Sequence, residues 1–375
     1  MSMNIGIIGG GASGVLCAIK LKENKDFNVT IIEQNDRLLK KVLKTGNGKC
    51  NIMNNNISSI YYNDYSLIEN QNINVYQELS NLGIVLKELS LGRVYPYSEQ
   101  SKTVVNILLK HINKLGINVK VNEKVLHIKK DNDKYIVYTN SNVYKFDKLI
   151  IATGSNSQEK TNGYELVKEL GLTVTKLTPG LVPLEVLEDT KSCSGLRIKC
   201  STVINGYSLD GELLFKDDGI SGIIVLDVSR FCDKGDTISF DLMKEYQEED
   251  LFKLIDYDNP LDSLEGIFPK MIALDIIKRS KKLNESIPHV IKNYTFTIKN
   301  KKGFNDSQIT LGGVETNLVN HNFEVINHKN LFILGELLNV DGASGGYNLY
   351  FAWLSAITCS NYIKKLYKNL NGSES

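Results

Sequence analysis

Gly9-Gly10-Gly11-Ala12-Ser13-Gly14 follows a short apolar run and opens a stretch that can form a helix. The spacing is GxGxxG. Gly9 permits a tight turn after a strand, Gly11 lets the backbone approach a diphosphate, and Gly14 lets helix and strand pack closely. Ala12 and Ser13 fall in the first helical turn, whose free N–H groups and positive dipole end suit an anion. Glu33 closes the next apolar run, 19 residues after Gly14. A carboxylate there can accept hydrogen bonds from ribose hydroxyls. An unphosphorylated ribose fits this pattern, so the ligand is NAD or the adenosine half of FAD.

Two later segments favour FAD. Leu149-Ile150-Ile151-Ala152-Thr153-Gly154 resembles the second FAD-contact segment of two-dinucleotide-type flavoproteins. The apolar run 330–334, followed by Gly335-Glu336 and then Asp341-Gly342, resembles the late segment whose acid meets the ribityl chain. Only one GxGxxG is present. Either the substrate reduces the flavin directly, or NAD(P)H docks transiently as electron donor without its own fingerprint.

Two glycine-rich stretches add candidates. In Lys44-Thr45-Gly46-Asn47-Gly48-Lys49-Cys50-Asn51, glycine and asparagine tolerate left-handed backbone, so several N–H groups can converge on an anion or a flavin. Lys49, with Lys41 or Lys44, can offset phosphate charge. Asp341 through Gly345-Gly346-Tyr347-Asn348 precedes the last helix, whose N-terminus can face developing negative charge. Arg93, Tyr95 and Tyr347 are the catalytic candidates: the arginine holds a carboxylate or enolate oxygen, and a tyrosine donates a proton. Cys50 reads as a packed side chain rather than a redox thiol. The five histidines lack metal-ligand spacing, so no metal is expected. Trp353 reads as core.

These residues need elements to hold them. Residues 4–8, a helix over 13–24 and a strand over 28–33 form a βαβ unit at the N-terminus. Helices are expected over 66–82 and 100–116, and strands over 120–128, 135–139, 142–146 and 148–152. Beyond Pro179, short β-rich runs at 196–204, 212–215, 220–226 and 237–240 suggest a small barrel or sandwich. Residues 246–282 read as two helices joined at Asn259-Pro260, and the chain ends in a helix over 349–366.

The chain has 375 residues, 42% hydrophobic and 23% charged, which is ordinary for a globular protein of two or three domains. Its net charge of +1 argues against a nucleic-acid partner. Apolar stretches fall far short of a membrane span, and the N-terminus lacks the features of a leader. Six cysteines without a CxxC pair read as reduced thiols, so a cytoplasmic protein acting on a small molecule is expected, with its oligomeric state open.

The sequence resembles the flavoprotein family often labelled aminoacetone-oxidase-like, which includes the flavoprotein of bile-acid dehydroxylation operons. The resemblance rests on residues 7–14; Lys40-Lys41 with 45–51 and Asn54; Gly92-Arg93-Val94-Tyr95-Pro96; 152–154; 179–184; 211–215; 219–222; 310–314; and 334–336 through 345–348. It departs from the family pattern at Lys49, where Arg is usual, at Asn339, where Asp is usual, and at Ile223, where Pro is usual. The resemblance implies an α/β fold: a discontinuous Rossmann-like, two-dinucleotide-type FAD domain (1–178 and 303–375), an inserted β-barrel-like domain (179–243) and a small helical domain (244–302). It implies noncovalent FAD, with Val125 among the cofactor contacts. The activity it implies is reduction of a small conjugated or carbonyl substrate by NAD(P)H through flavin N5. The alternative is an amine or amino-acid oxidase using oxygen. The more distant readings are a flavin-bound RNA-modifying protein, motivated by basic stretches at 276–283 and 299–302, and a non-catalytic flavin sensor.

Overall fold

Strand Met3–Ile8 lies at the centre of a five-stranded parallel sheet in the computed structural model, which describes residues 2–204 and 206–372. The strand order is Leu331–Ile333, Lys148–Ile151, Met3–Ile8, Phe27–Ile32, Asn118–Lys120. All four pairings are parallel. Such strands are covered on both faces, so they read as continuous apolar runs rather than alternating ones. Accordingly Ile5, Ile7, Ile31, Ile150 and Phe332 are fully buried. Helix Ala12–Lys22 and the 26-residue helix Tyr347–Gly372 pack on this sheet, so the two ends of the sequence build one core.

A three-stranded meander, Val125–Asp131, Lys134–Thr139 and Val143–Phe146, leads into the strand Lys148–Ile151. A second antiparallel trio pairs Met53–Asn54 and Leu86–Glu88 with the central Arg93–Pro96.

The chain divides into two compact units, 1–178 with 309–375, and 179–308. In the second unit six strands form a mostly antiparallel sheet, ordered Arg197–Ile204, Tyr207–Lys216, Gly219–Ser221, Leu184–Val186, Tyr294–Lys301, Thr237–Phe240. A bridge between Ser201 and Asp241 joins its two edges and nearly closes a barrel. The helices of 244–302 do not stand apart from these strands. Ile272 and Ile276 share one buried cluster with Phe215, Phe240 and Phe296, because short helices bury an apolar face only against a neighbouring layer.

Several expected elements differ. The run 220–226 is a strand only to Ser221. After Gly222, at φ +93°, it becomes helix Ile223–Val228 despite its β-branched residues, and that helix packs on the strand containing Gly211. The helix expected over 66–82 is only Val75–Asn81, because the Asn74 side chain accepts from the Gln77 N–H and caps it there. Residues 246–282 form three helices, Glu248–Leu254, Pro260–Glu265 and Lys270–Leu283. Helix Gly163–Glu169 was not anticipated. No helix among the described residues is long and apolar enough to cross a membrane.

Candidate functional site

The turn after the central strand has the form that its glycines require. Gly9 sits at φ +104°, and a Cβ there would lie 2.3 Å from the Ala152 carbonyl oxygen. Gly14 is pressed on Gly9. A Cβ on Gly11, by contrast, would meet nothing within 4 Å. Helix Ala12–Lys22 starts there with no side-chain cap and no acid in its first turn. The N–H groups of Ala12, Ser13 and Gly14 therefore have no carbonyl behind them, and the space beside Gly11 is open to an anion.

Glu33 is buried beside this turn. Its Oε2 accepts from Gly10 N–H at 2.7 Å, and its Oε1 accepts from the Asn35 backbone and side chain at 2.8 Å each. The carboxylate is thus fixed in place, with further lone pairs for ribose hydroxyls. Asn35 is a supporting residue that the sequence reading missed. Val125 is buried, and its carbonyl accepts from Asn162 Nδ2 at 2.8 Å.

On the other side of the turn, Ala152 and Thr153 follow the neighbouring parallel strand, and Gly154 lies at φ +68°. A Cβ on Gly154 would be 3.9 Å from Lys41 Nζ, which donates to the Ser155 carbonyl at 2.7 Å. Gly335 packs on Ser13. Glu336 accepts from the Thr310 N–H at 3.2 Å. Desolvation raises its carboxyl above the usual range, and the Lys41 charge opposes that shift.

The 44–51 loop closes partly on itself. Lys49 N–H bonds to Gly46 O and Cys50 N–H to Thr45 O, both at 3.0 Å, while Thr45 Oγ1 donates to Val42 O at 2.7 Å. Those N–H groups are spent, so the loop is less of an anion nest than its composition suggests. Gly46 and Asn47 both adopt left-handed φ. Lys49 is held at the surface by Glu99, which also takes Lys87. Cys50 is fully buried, and burial pushes its thiol up to about 11.

Strand Arg93–Pro96 carries Val94 and Pro96 buried on one face and Arg93 and Tyr95 half-buried on the other. A Cβ on Gly345 would lie 3.6 Å from both Arg93 Nε and the Tyr347 ring, and one on Gly46 would lie 3.8 Å from the Tyr95 ring. The two glycine loops also meet, since Gly346 abuts the Met53 backbone and Asn51 Oδ1. Among the described residues the Arg93 guanidinium makes no hydrogen bond or ion pair. Tyr347 is buried, stacked on Tyr61 at 4.4 Å and edge-on to Tyr62. Asp341 is buried, and its backbone pairs with Asn63. Asn348 has a local duty: its Oδ1 accepts from Gly342 N–H and its Nδ2 donates to Gly342 O. Trp353 is core, and its Nε1 donates to Ile52 O at 2.9 Å.

These features fit FAD. Gly11 leaves room for a diphosphate at an uncapped helix end, the fixed Glu33 carboxylate keeps lone pairs that ribose hydroxyls could meet, and the segments around Asn51, Thr153 and Thr310 each hold an unsatisfied polar group. Asn51 Oδ1, Thr153 Oγ1 and Thr310 Oγ1 on those segments are buried polar atoms with no hydrogen-bond partner among the described residues. No cluster of metal-ligating side chains occurs among the described residues.

Residues 3–362 match the family described as HI0933-like protein Rossmann domain. The chain is 28% identical to the 3-dehydro-bile acid delta(4,6)-reductase of Clostridium scindens, covering 93% of this chain and 96% of that protein. It is 25% identical to the ribosomal RNA dihydrouridine synthase of Haemophilus influenzae, covering 96% and 98%. Among solved structures, 3-ketosteroid-delta4-(5alpha)-dehydrogenase from Rhodococcus jostii RHA1 in complex with 4-androstene-3,17-dione aligns with a TM-score of 0.50 at 12% identity. That alignment covers 96% of this chain and 97% of that one, and it speaks to the fold alone.

Proposed function

This chain belongs to the HI0933-like family of Rossmann-domain proteins, and we propose that it is an FAD-dependent reductase that saturates a carbon–carbon double bond conjugated to a carbonyl, with NAD(P)H as electron donor. Its class is FAD-dependent oxidoreductase. The finer reading rests chiefly on Arg93, a half-buried guanidinium without a partner among the described residues, on one strand face with Tyr95 and beside Gly345. The names of the relatives support it: a bile-acid delta(4,6)-reductase and a dihydrouridine synthase each denote saturation of such a bond.

In this reading residues 1–178 and the C-terminal segment hold the cofactor. The Gly9–Gly14 turn takes the diphosphate, Glu33 a ribose, and Glu336 the ribityl side. FAD supplies two-electron hydride chemistry when bound. In the net reaction the substrate gains a hydride at the carbon β to its carbonyl and a proton at the α carbon, while NAD(P)H becomes NAD(P)+. Arg93 holds the carbonyl oxygen as it takes on negative charge. Tyr95, about 6.6 Å further along the same face, delivers the proton. Tyr347, stacked on Tyr61, forms a flat wall beside them.

The test is anaerobic mixing of FAD-loaded protein with NADH and NADPH, followed by a panel of conjugated ketones. Bleaching by a nicotinamide and recovery of colour with an enone supports the reading. Bleaching only by amines or amino acids supports the oxidase instead.

A second reading, saturation of uridine in RNA, has the support of the dihydrouridine synthase relatives. It shares the reaction and differs in substrate. The basic stretches that motivate it are partly neutralised: Arg279 pairs with Asp275, Lys301 with Asp233, and Lys302 with Glu185 and Asp218. Acidic residues also outnumber basic ones across 179–308. A 2-dalton mass gain in ribosomal RNA treated with enzyme and NADPH, with no turnover of free enones, would favour this second reading.

A further inference from the structure

Asn54 is almost fully buried, and its side chain is committed in three directions. Nδ2 donates to the Gly345 carbonyl at 2.9 Å and to the Leu91 carbonyl at 3.3 Å, and Oδ1 accepts from the Asn56 N–H at 2.8 Å. Leu91 belongs to the short turn Ser90–Gly92 that leads into Arg93, and Gly345 belongs to the loop before the last helix. One amide therefore ties together two segments that lie far apart in sequence. Asn54 also sits directly opposite Arg93 in the antiparallel pairing.

The backbone around it is shaped for this contact. Leu91 is held at φ +62° and Gly92 at φ +69°, and a Cβ on Gly92 would lie 2.6 Å from Asn54 Oδ1. A left-handed leucine is costly and persists only where its surroundings over-determine it. Arg93 Nε lies beside Gly345, the residue whose carbonyl Asn54 holds. The distance between the arginine and the glycine loop is thus set by a side chain that belongs to neither.

We propose that Asn54 is a positioning residue: it fixes the Arg93 guanidinium against the Gly345 loop and so builds an oxyanion-binding site for the substrate carbonyl. This rests on the role given to Arg93 above. Asn54 donates both its N–H bonds to main-chain carbonyls, so it acts through the backbone and leaves the guanidinium free. Loss of the amide removes the donor that holds the Leu91 and Gly345 carbonyls together and lets the 90–92 turn relax, and the arginine then samples orientations that miss the oxygen.

The test uses FAD-loaded protein and para-chlorophenolate, a stable mimic of an enolate oxygen on a flat ring, followed by its long-wavelength charge-transfer absorbance. Asn54→Ser, Asn54→Ala and Arg93→Ala are compared with the parent for phenolate affinity, FAD affinity by flavin fluorescence, and kcat against KM for NADPH-driven enone reduction. The expected result is at least tenfold weaker phenolate binding in all three variants. FAD affinity should stay within about twofold, and kcat should fall more than KM rises. Added guanidinium should partly restore Arg93→Ala but not the Asn54 variants, which still carry their own guanidinium. If Arg93→Ala weakens phenolate binding and both Asn54 variants bind as the parent does, the positioning role is overturned and the Arg93 reading stands. If the parent binds no phenolate, or Arg93→Ala leaves binding unchanged, the Arg93 reading itself fails. If Asn54→Ala does not fold, Asn54→Ser, which leaves a smaller cavity and keeps a polar group, decides the matter.

Discussion

Gly14 presses on Gly9 so closely that a methyl group at 14 would stand 2.1 Å from the Gly9 carbonyl oxygen, whereas one at Gly11 would meet nothing within 4 Å. The motif therefore separates into a glycine that the fold needs and a glycine that its packing does not require. Gly14→Ala must move backbone, so it should destabilise the protein by several kcal/mol or prevent folding. Gly11→Ala should leave the melting temperature of the apoprotein within about 2 °C, since such a surface change is nearly neutral, yet cut FAD affinity at least tenfold. Thermal melts and flavin fluorescence titrations on both variants check this. Equal FAD affinity in Gly11→Ala and the parent would count against a diphosphate at this turn.

Lys40 and Glu159 form an ion pair at 2.8 Å between the segments that follow two flanking strands of the central one. Gln34 Nε2 donates to the Lys160 carbonyl nearby, and Lys41 donates to the Ser155 carbonyl. These links cross the carboxyl end of the sheet, where ligands of such folds bind. Glu159→Gln should speed FAD release about two- to fivefold at low salt, as expected of a part-exposed pair. The difference should vanish near 1 M salt, where screening is complete over a few ångströms. Stopped-flow recovery of flavin fluorescence at two ionic strengths measures it.

Burial disfavours the thiolate and pushes the Cys50 thiol from an ordinary value of 9.0 up to about 11 in the folded protein. At pH 7.5 native protein should leave Cys50 unlabelled by iodoacetamide over an hour, while urea-unfolded protein labels fully. Mass spectrometry of the Cys50 peptide reads this out. The linkage has a definite sign. Above pH 9 the unfolded chain loses this proton first, so unfolding is favoured progressively as pH rises from about 9 to about 11. Cys50→Ala should flatten that part of the stability curve. A thiol that labels rapidly in native protein at pH 7.5 would overturn this assignment.

The parts of this site that could be read from sequence are those fixed by local geometry. The Gly9–Gly14 turn and Glu33 are legible because strand, turn and helix dictate their spacing within one βαβ unit. The Asn54 contact is not, because it joins Gly345 to a turn more than 250 residues earlier and no local period marks it. Asn348 is a different case: it opens the last helix just after the glycine-rich loop, and its amide holds that loop's own backbone. The separate helical domain over 244–302 is implied by the family resemblance alone, and a short amphipathic helix does not reveal from sequence which layer will cover it. The run 220–226 misled because β propensity is weak against a glycine break and a tertiary partner.

Arg93 and Tyr95 share a face of one strand, and the arginine has no partner among the described residues. If the guanidinium receives an oxyanion, its removal should act on the transition state rather than on the fold. Arg93→Ala should retain FAD with an unchanged melting temperature and lose about 10²–10³-fold in kcat for an enone, the range for one oxyanion donor. Arg93→Lys should recover less than a tenth of that loss. A lysine keeps the charge but is a flexible point donor, without the planar fork that meets an oxygen at fixed geometry. Tyr95→Phe should lower kcat more modestly, and because the α carbon must then draw its proton from water, solvent deuterium should slow the variant at least as much as the parent. Steady-state kinetics in H2O and D2O, run beside reduction of the same variants by NADPH alone, separates these effects. The reductive half-reaction should be unaffected in Tyr95→Phe, because the role proposed for that tyrosine is confined to the carbonyl substrate.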